Sequence, residues 1–280
     1  MSARIAAVTM ARNAGDFLRK WVSWYGAQLG EANLYIFLDG EDQEVPPFTR
    51  ECHVKVVQRV EGNVAESDRG RIRVLSGFAE GLLSDYDFVI GTDVDEFITP
   101  DPATGLGLAE FISAIQPKGR KCFSPLGCDV VQNVSCEAPL DWTRPILEQR
   151  SQAFLSTRYT KASILCAPAR WGSGFHRVRG SNFHIVKDLY LFHFGGADAV
   201  SLQERISGSD LSSRGWGRHF GKRSRLFRLA ARLPVRSWGK WVPVARRLQT
   251  LLRPPYAWNK PAMLGLRIIV RIPERFRNLF

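Results

Sequence analysis

Cysteine is scarce in this 280-residue chain: there are five, an odd number, and no two form a Cys-x-x-Cys pair. That scarcity excludes a disulfide framework and a cysteine zinc site, and implies free thiols in a reducing compartment. Long apolar runs are missing as well. No segment reaches the roughly 18 to 20 uninterrupted apolar residues of a membrane span. The opening MSARIAAVTMARN has too short an apolar run for a signal peptide and is interrupted at Arg12. The expectation is a cytoplasmic chain without an integral anchor, at most peripheral on the cytoplasmic face of a membrane. Internal repeats and low-complexity segments are also absent, which excludes solenoids and disordered arrays.

Acidic residues are nearly absent from one region. The 67 residues from Arg214 to Phe280 carry 17 of the 39 Lys and Arg and a single acid, Glu274, for a net charge of +16. The other 213 residues carry 22 bases and 26 acids, for −4. Such a partition predicts two parts: a mildly acidic body over 1–205 and a basic, aromatic-rich, helical C-terminal extension over 206–280.

Along the body, RIAAVT, NLYIFLDG, HVKVV and YDFVIG read as buried strands. Between them, Phe17, Trp21, Trp24 and Tyr25 recur at helical spacing up to Gly30, and Ile72, Leu75, Phe78, Ala79 and Leu82 recur behind Asp68, the expected N-cap. Alternating strands and helices predict an α/β fold built on a mostly parallel sheet covered by helices. Ligands in such sheets bind beyond the carboxyl ends of the strands. Arg12, Asp39 and the acids after Gly91 are therefore expected to share one crevice. Further on, a short helix over 108–115, strand-like CFSPLG and CDVVQNV, and a hairpin turning at Lys187 and Asp188 are expected.

The fourth strand runs into Asp93, Asp95 and Glu96, closed by Phe97 and Ile98. Aspartates one residue apart at a strand end point to the same side and converge on one cation. Hard ions such as Mg2+ or Mn2+ take such oxygen ligands and complete their shell with substrate phosphates and water. An EF-hand is excluded, since its glycine and distal glutamate are missing.

With ARNAGDFLRKWVSWY, LYIFLDG and FVIGTDVDEFI in this order, the chain resembles glycosyltransferase family 2, in the branch that carries Asp-x-Asp-Glu-Phe. The resemblance covers about residues 4 to 100, more loosely 160 to 200, and leaves out the C-terminal part. It implies a GT-A fold, a Rossmann-like mixed sheet flanked by helices, with Mn2+ or Mg2+ as cofactor and a nucleoside diphosphate sugar as donor. The activity implied is an inverting, hexosyltransferase-type transfer to a glycan or glycolipid acceptor. By the same resemblance Asp93 lies near the ribose or the metal and Asp95 coordinates the metal directly. His193, near the end of LYLFHF, becomes the candidate third metal ligand, and Lys161 in YTKASIL matches a lysine of the family's second half. If Lys187 and Asp188 turn a hairpin, Asn182 pairs with His193 and His184 with Leu191, which puts His184 on the same face nearer the turn as the second choice.

Other positions keep two readings each. Arg12 and Asp39 are candidates for nucleotide contact or for exposed and turn positions. Arg69 and Arg73, one helical turn apart, face either the diphosphate or solvent. An inverting transfer needs a base; Asp129, Glu137 and Asp141 are available, as is His176 in the glycine-rich WGSGFHR, and Asp129 and His176 are the expected pair. A haloacid dehalogenase-like phosphatase also carries Asp-x-Asp after a strand, but on its first strand and followed by Gly-Thr. A non-catalytic protein acting through its basic part is the other alternative. For that part, contact with an anionic membrane surface or a polyanionic acceptor is favoured, ahead of packing on the body and of nucleic-acid binding.

Overall fold

The computed structural model describes residues 2–59, 62–207 and 226–280. β1 (Ile5–Ala11) is buried along its whole length. Its side chains divide by alternation: Ile5, Ala7 and Ala11 join one core cluster, Ala6, Val8 and Met10 the other. A strand covered on both faces is apolar at nearly every position, which is why IAAVTMA shows no alternation of polarity; its one polar side chain, Thr9, is satisfied by the Thr92 carbonyl.

The first cluster is closed by α1 (Gly15–Leu29), which buries Phe17, Leu18, Trp21, Val22 and Tyr25 and stops at Gly30, whose φ is 85°. Only a residue without a Cβ takes that backbone readily. The second cluster is closed by α2 (Val64–Leu82), through Ile72, Leu75, Ala79 and Leu82. α2 starts earlier than expected. Its N-cap is Asn63, whose side chain accepts from Ala65 and Glu66 while Glu66 accepts from the Asn63 amide. Asp68 lies inside the helix, paired with Arg71 at 2.9 Å.

β1 is flanked in parallel by β2 (Leu34–Asp39) and β4 (Phe88–Gly91), and β3 (His53–Val57) continues in parallel beyond β2. This is the parallel half that the sequence pattern predicts. The other strands are β5 (Glu96–Pro100), β6 (Cys122–Val131), β7 (Gln152–Leu155), β8 (Ile164–Leu165), β9 (Ile185–Gly196), β10 (Val235–Arg236) and β11 (Ile268–Arg271). Among the described residues the sheet runs β10-β11-β7-β6-β8-β4-β1-β2-β3, with β9 against β6 and β5 against β9. Short helices α3 (Leu108–Ser113), α4 (Ile146–Gln149) and α5 (Ala199–Ser207) connect these strands, and α6 (Trp238–Leu251) comes later. The fold class is α/β, a mixed sheet flanked by helices.

Three expectations need correction. CFSPLG and CDVVQNV fall on one strand, β6. Lys187 and Asp188 do not turn a hairpin: β9 runs through them, and a register shift between Ser124/Ile185 and Leu126/Tyr190 absorbs the extra residues, with Asp188 at φ 58°. A bulge carries turn-like residues while the strand continues. Asn182 therefore does not pair with His193.

The third correction concerns the boundary at residue 205, which does not separate two cores among the described residues. β11 pairs with β7, and Trp238, Phe276 and Phe280 belong to the same core cluster as β1. Trp238 stacks on Phe192, with centroids 6.2 Å apart, and Phe280 lies 5.0 Å from Phe97. Each such ring contributes about 1.5–3 kcal/mol on burial, so the segment after residue 234 is held as firmly as any strand. Charge alone misled because its bases stay outside, Lys240 and Arg247 exposed, while α6 turns Val242 and Ala245 inward. No helix among the described residues is long and apolar enough to cross a membrane.

Candidate active site

The acidic turn begins where β4 ends. Gly91 has rings on its open side: a Cβ there would come within 2.6 Å of Trp171 and 2.7 Å of Phe175, so only glycine fits. Thr92, fully buried, is fixed from two sides. Its hydroxyl accepts from Trp21 Nε1 at 2.9 Å and its carbonyl from the Thr9 hydroxyl at 2.9 Å. Beyond the turn, the Tyr25 hydroxyl accepts from the Ile98 amide at 2.9 Å. Two aromatic residues of α1 thus set the position of a loop some 70 residues away.

Asp93 gives both carboxylate oxygens to cations, Oδ1 to Arg71 at 2.5 Å and Oδ2 to Lys161 at 2.8 Å. Lys161 is buried and also reaches Glu96 Oε1 at 2.6 Å. Burial works to raise the Asp93 carboxyl, yet Arg71 and Lys161 hold it well below the usual carboxylate range. Burial dominates at Glu96, whose carboxyl is pushed up to about 7 even with Lys161 beside it. For Lys161 burial would lower the ammonium, but Asp93 and Glu96 raise it. The Phe175 ring lies 5.7 Å from both Arg71 and Lys161 and roofs the cation pair.

Asp95 faces the other way. Its carbonyl accepts from the Phe194 amide at 2.9 Å, and the next residue, Glu96, is the register partner of His193 across β5 and β9. That pairing puts His193 Nε2 3.4 Å from Asp95 Oδ2. On the opposite side His193 Nδ1 lies 2.6 Å from Asp129 Oδ1, and Asp129 is the register partner of His193 across β6 and β9. Tyr159 stacks flat on the imidazole, centroids 3.7 Å apart. A histidine whose Nδ1–H is tied to a carboxylate presents Nε2 as the ligating atom.

This arrangement fits a divalent cation held by two protein atoms, Asp95 Oδ2 and His193 Nε2. Neighbouring ligands of an octahedral cation stand about 3 Å apart, close to the separation seen. Among the described residues no group of three or more His, Cys, Asp and Glu is disposed to hold a metal. Substrate phosphates and water would supply the rest of the shell. Asp93 enters as the acceptor for two cations rather than as a third ligand.

The remaining expected residues divide. Arg12 and Asp39 do meet at the carboxyl ends of β1 and β2: Arg12 donates to the Asp39 carbonyl at 2.6 Å and pairs with Asp42 at 2.6 Å. Arg69 and Arg73 do not pair with Asp93; Arg71, between them, does, and the other two line a cleft on α2's outer flank. Asp129 is the hydrogen-bond partner of His193. Burial, then the nearby Lys161, Lys260 and Arg158, push His176 down to about 2, which makes its ring a poor proton acceptor at neutral pH. Glu137 accepts from Asn133 and Ser151 and serves its own loop, as Asp141 serves its turn at Thr143. His184 packs edge-on against Phe123, away from the acids.

Arg71 and Tyr159 went unnoticed in the sequence. Arg71 had a signal: with Asp68 three residues before and Leu75 four after, it lies at the edge of the buried stripe of α2, where a charge meets the sheet end. Tyr159 had none.

No protein-family model matches the chain, and no curated protein matches it. Among solved structures, mannose-1-phosphate geranyltransferase from Thermus thermophilus aligns at 13% identity and a TM-score of 0.31. That alignment covers 80% of this chain and 64% of the other, so the chain spans less than two thirds of that protein. The mannosyltransferase PcManGT from Pyrobaculum calidifontis, in complex with GDP-Man and Mn2+, aligns at 10% identity and a TM-score of 0.38. It covers 91% of this chain and 82% of the other. Likenesses this remote leave the function to the geometry of the site.

Proposed function

We propose that the chain is a metal-dependent glycosyltransferase that uses a nucleoside diphosphate sugar and a glycan or glycolipid acceptor. One observation carries the reading. His193, oriented by Asp129, faces Asp95 across 3.4 Å; Asp95 lies in the turn that leaves β4 and His193 within β9, while Arg12 and Asp39 meet where β1 and β2 end. Asp95 and His193 would hold Mn2+ or Mg2+, the imidazole favouring Mn2+. Such an ion neutralises charge on a diphosphate leaving group. Arg71 and Lys161 keep Asp93 ionised and fixed, so that the donor meets a preorganised surface. The resemblance of residues 4–100 to glycosyltransferase family 2 supports the same reading. The exposed bases of the C-terminal part, Lys240 and Arg247 among them, are the proposed contact with an anionic membrane surface, through a solvent face of the folded body.

The test is a thermal-shift panel of nucleoside diphosphates with and without Mn2+. At least one diphosphate is expected to raise Tm only when Mn2+ is present, and Asp95→Ala and His193→Ala to abolish that gain without unfolding the protein. No Mn2+-dependent shift with any nucleoside diphosphate would sink the proposal.

A further inference from the structure

The outer flank of α2 carries an open cleft of about 660 Å³ that the acidic centre does not use. Five arginines line it and no acid does. Four of these, Arg69, Arg73, Arg177 and Arg179, have no ion-pair partner among the described residues, and all four are exposed. Their positions are set by the backbone. Arg69 and Arg73 are one turn apart on α2, where like charges repel. Arg177 and Arg179 flank the buried Val178, which bridges to Trp171 and Ser181, so alternation sends both arginines to the same side.

The lining residues 256–259 have an equally specific construction. Ala257 and Asn259 are buried, and the Asn259 amide donates to the carbonyls of Val178 at 2.8 Å and Ser181 at 3.2 Å. The residues between and before them point out: Tyr256 is 75% exposed and Trp258 59%. Two exposed rings thus stand in the lining of a cleft whose only ion-paired arginine among the described residues is Arg170, held by Glu80, so apolar faces and guanidinium groups are offered together.

We propose that this cleft binds a negatively charged oligosaccharide, as the acceptor of the proposed transfer. Guanidinium forks match carboxylate and phosphate in pairs, and the exposed rings offer apolar faces to the C–H faces of sugar rings. A bounded cleft of this volume suits a few rings better than a continuous nucleic-acid strand. Its place suits an acceptor. α2 sends Arg71 to Asp93 and Arg69 and Arg73 to the cleft, while the 171–178 segment sends Phe175 over Lys161 and Arg177 into the cleft. The acceptor role, though not the binding itself, rests on reading the acidic centre as a glycosyltransferase.

The full chain is titrated by calorimetry with hexagalacturonate, a phosphorylated mannopentaose, neutral maltohexaose, oligo-dT and a nucleoside diphosphate. One or both charged sugars are expected to bind at least about tenfold tighter than maltohexaose. Which of the two binds identifies carboxylate or phosphate as the charge. Arg69→Ala with Arg73→Ala, and Arg177→Ala with Arg179→Ala, are each expected to weaken that binding about tenfold or more, and Trp258→Ala severalfold, with Tm unchanged. Equal binding of maltohexaose overturns the proposal, as does oligo-dT binding tighter than either charged sugar. So does displacement of the sugar by the nucleoside diphosphate, which would make the cleft part of the donor site. Loss of the Mn2+-dependent thermal shift with charged-sugar binding intact would remove the acceptor role and the transferase reading, and leave the cleft's ligand standing.

Discussion

Arg275 lays its guanidinium fork on Asp101, Nε at 2.5 Å from one carboxylate oxygen and a terminal nitrogen at 2.7 Å from the other. Asp101 is nearly buried and stands just after β5, so the pair ties residues near the C-terminus to the strand that succeeds the acidic turn. Arg275→Ala is expected to cost about 1–2 kcal/mol, the lower part of the range for stranding a buried partner because the arginine is partly exposed. Urea unfolding measures it. Removing everything from Val235 onward strips β11 and three core aromatics and should leave no cooperative unfolding transition; a soluble, cooperative truncated body would contradict the packing described.

Asp129→Asn keeps the volume of the side chain but removes the charge that fixes the His193 tautomer. The expected result is a folded protein whose apparent Mn2+ affinity, measured in the presence of a nucleoside diphosphate, falls about 10- to 100-fold. A base lost from the chemistry would instead lower turnover at unchanged metal affinity, so the two parameters separate the roles.

Lys161→Met strands Glu96 and one oxygen of Asp93 without their shared cation. The cost expected for breaking a buried pair from one side is about 3–5 kcal/mol. Adding Glu96→Gln should recover part of that loss, because the stranded charge is removed. A cost below about 1 kcal/mol for the single change would mean that Lys161 is not the ion these carboxylates depend on.

His176 supplies a pH dependence whose sign is fixed. Its folded pKa is about 2, against about 6.5 for an unfolded histidine. Between those values the unfolded chain binds a proton that the folded ring refuses, so this residue's contribution to stability falls as the pH drops below about 6.5. In Tm scans from pH 8 to 5, His176→Gln should lose less stability toward acid than the parent. Parallel curves would show that the ring is not responsible.

Much of this site was legible because strand ends are. Apolar runs that stop on Asp39 and on Gly91 announce the carboxyl edge of a parallel sheet, and the loops leaving those strands meet along that edge. His193 was found from its place after an apolar strand, but its partner was not, since Asp129 reaches it only through the register of β6 against β9, and register between strands 64 residues apart leaves no trace in either segment. Asp129 was therefore noticed for its acidity alone, without its contact to His193. The C-terminal part was misjudged for a different reason: net charge counts every base equally, whereas Trp238, Phe276 and Phe280 decide where the segment goes.

β6 and β9 run parallel, and parallel neighbours cannot be joined by a tight turn. Their pairing closes a long loop, and such closures come late in folding. The two atoms that would hold the cation are brought together only by β9, Asp95 through β5 and His193 directly. Trp24 of α1 donates to the Ile98 carbonyl of β5 and packs on Phe280, so in a refolding experiment Mn2+-dependent nucleotide binding should return with the last change in tryptophan fluorescence and not before it. The metal site would then act as a clock for the last step of assembly.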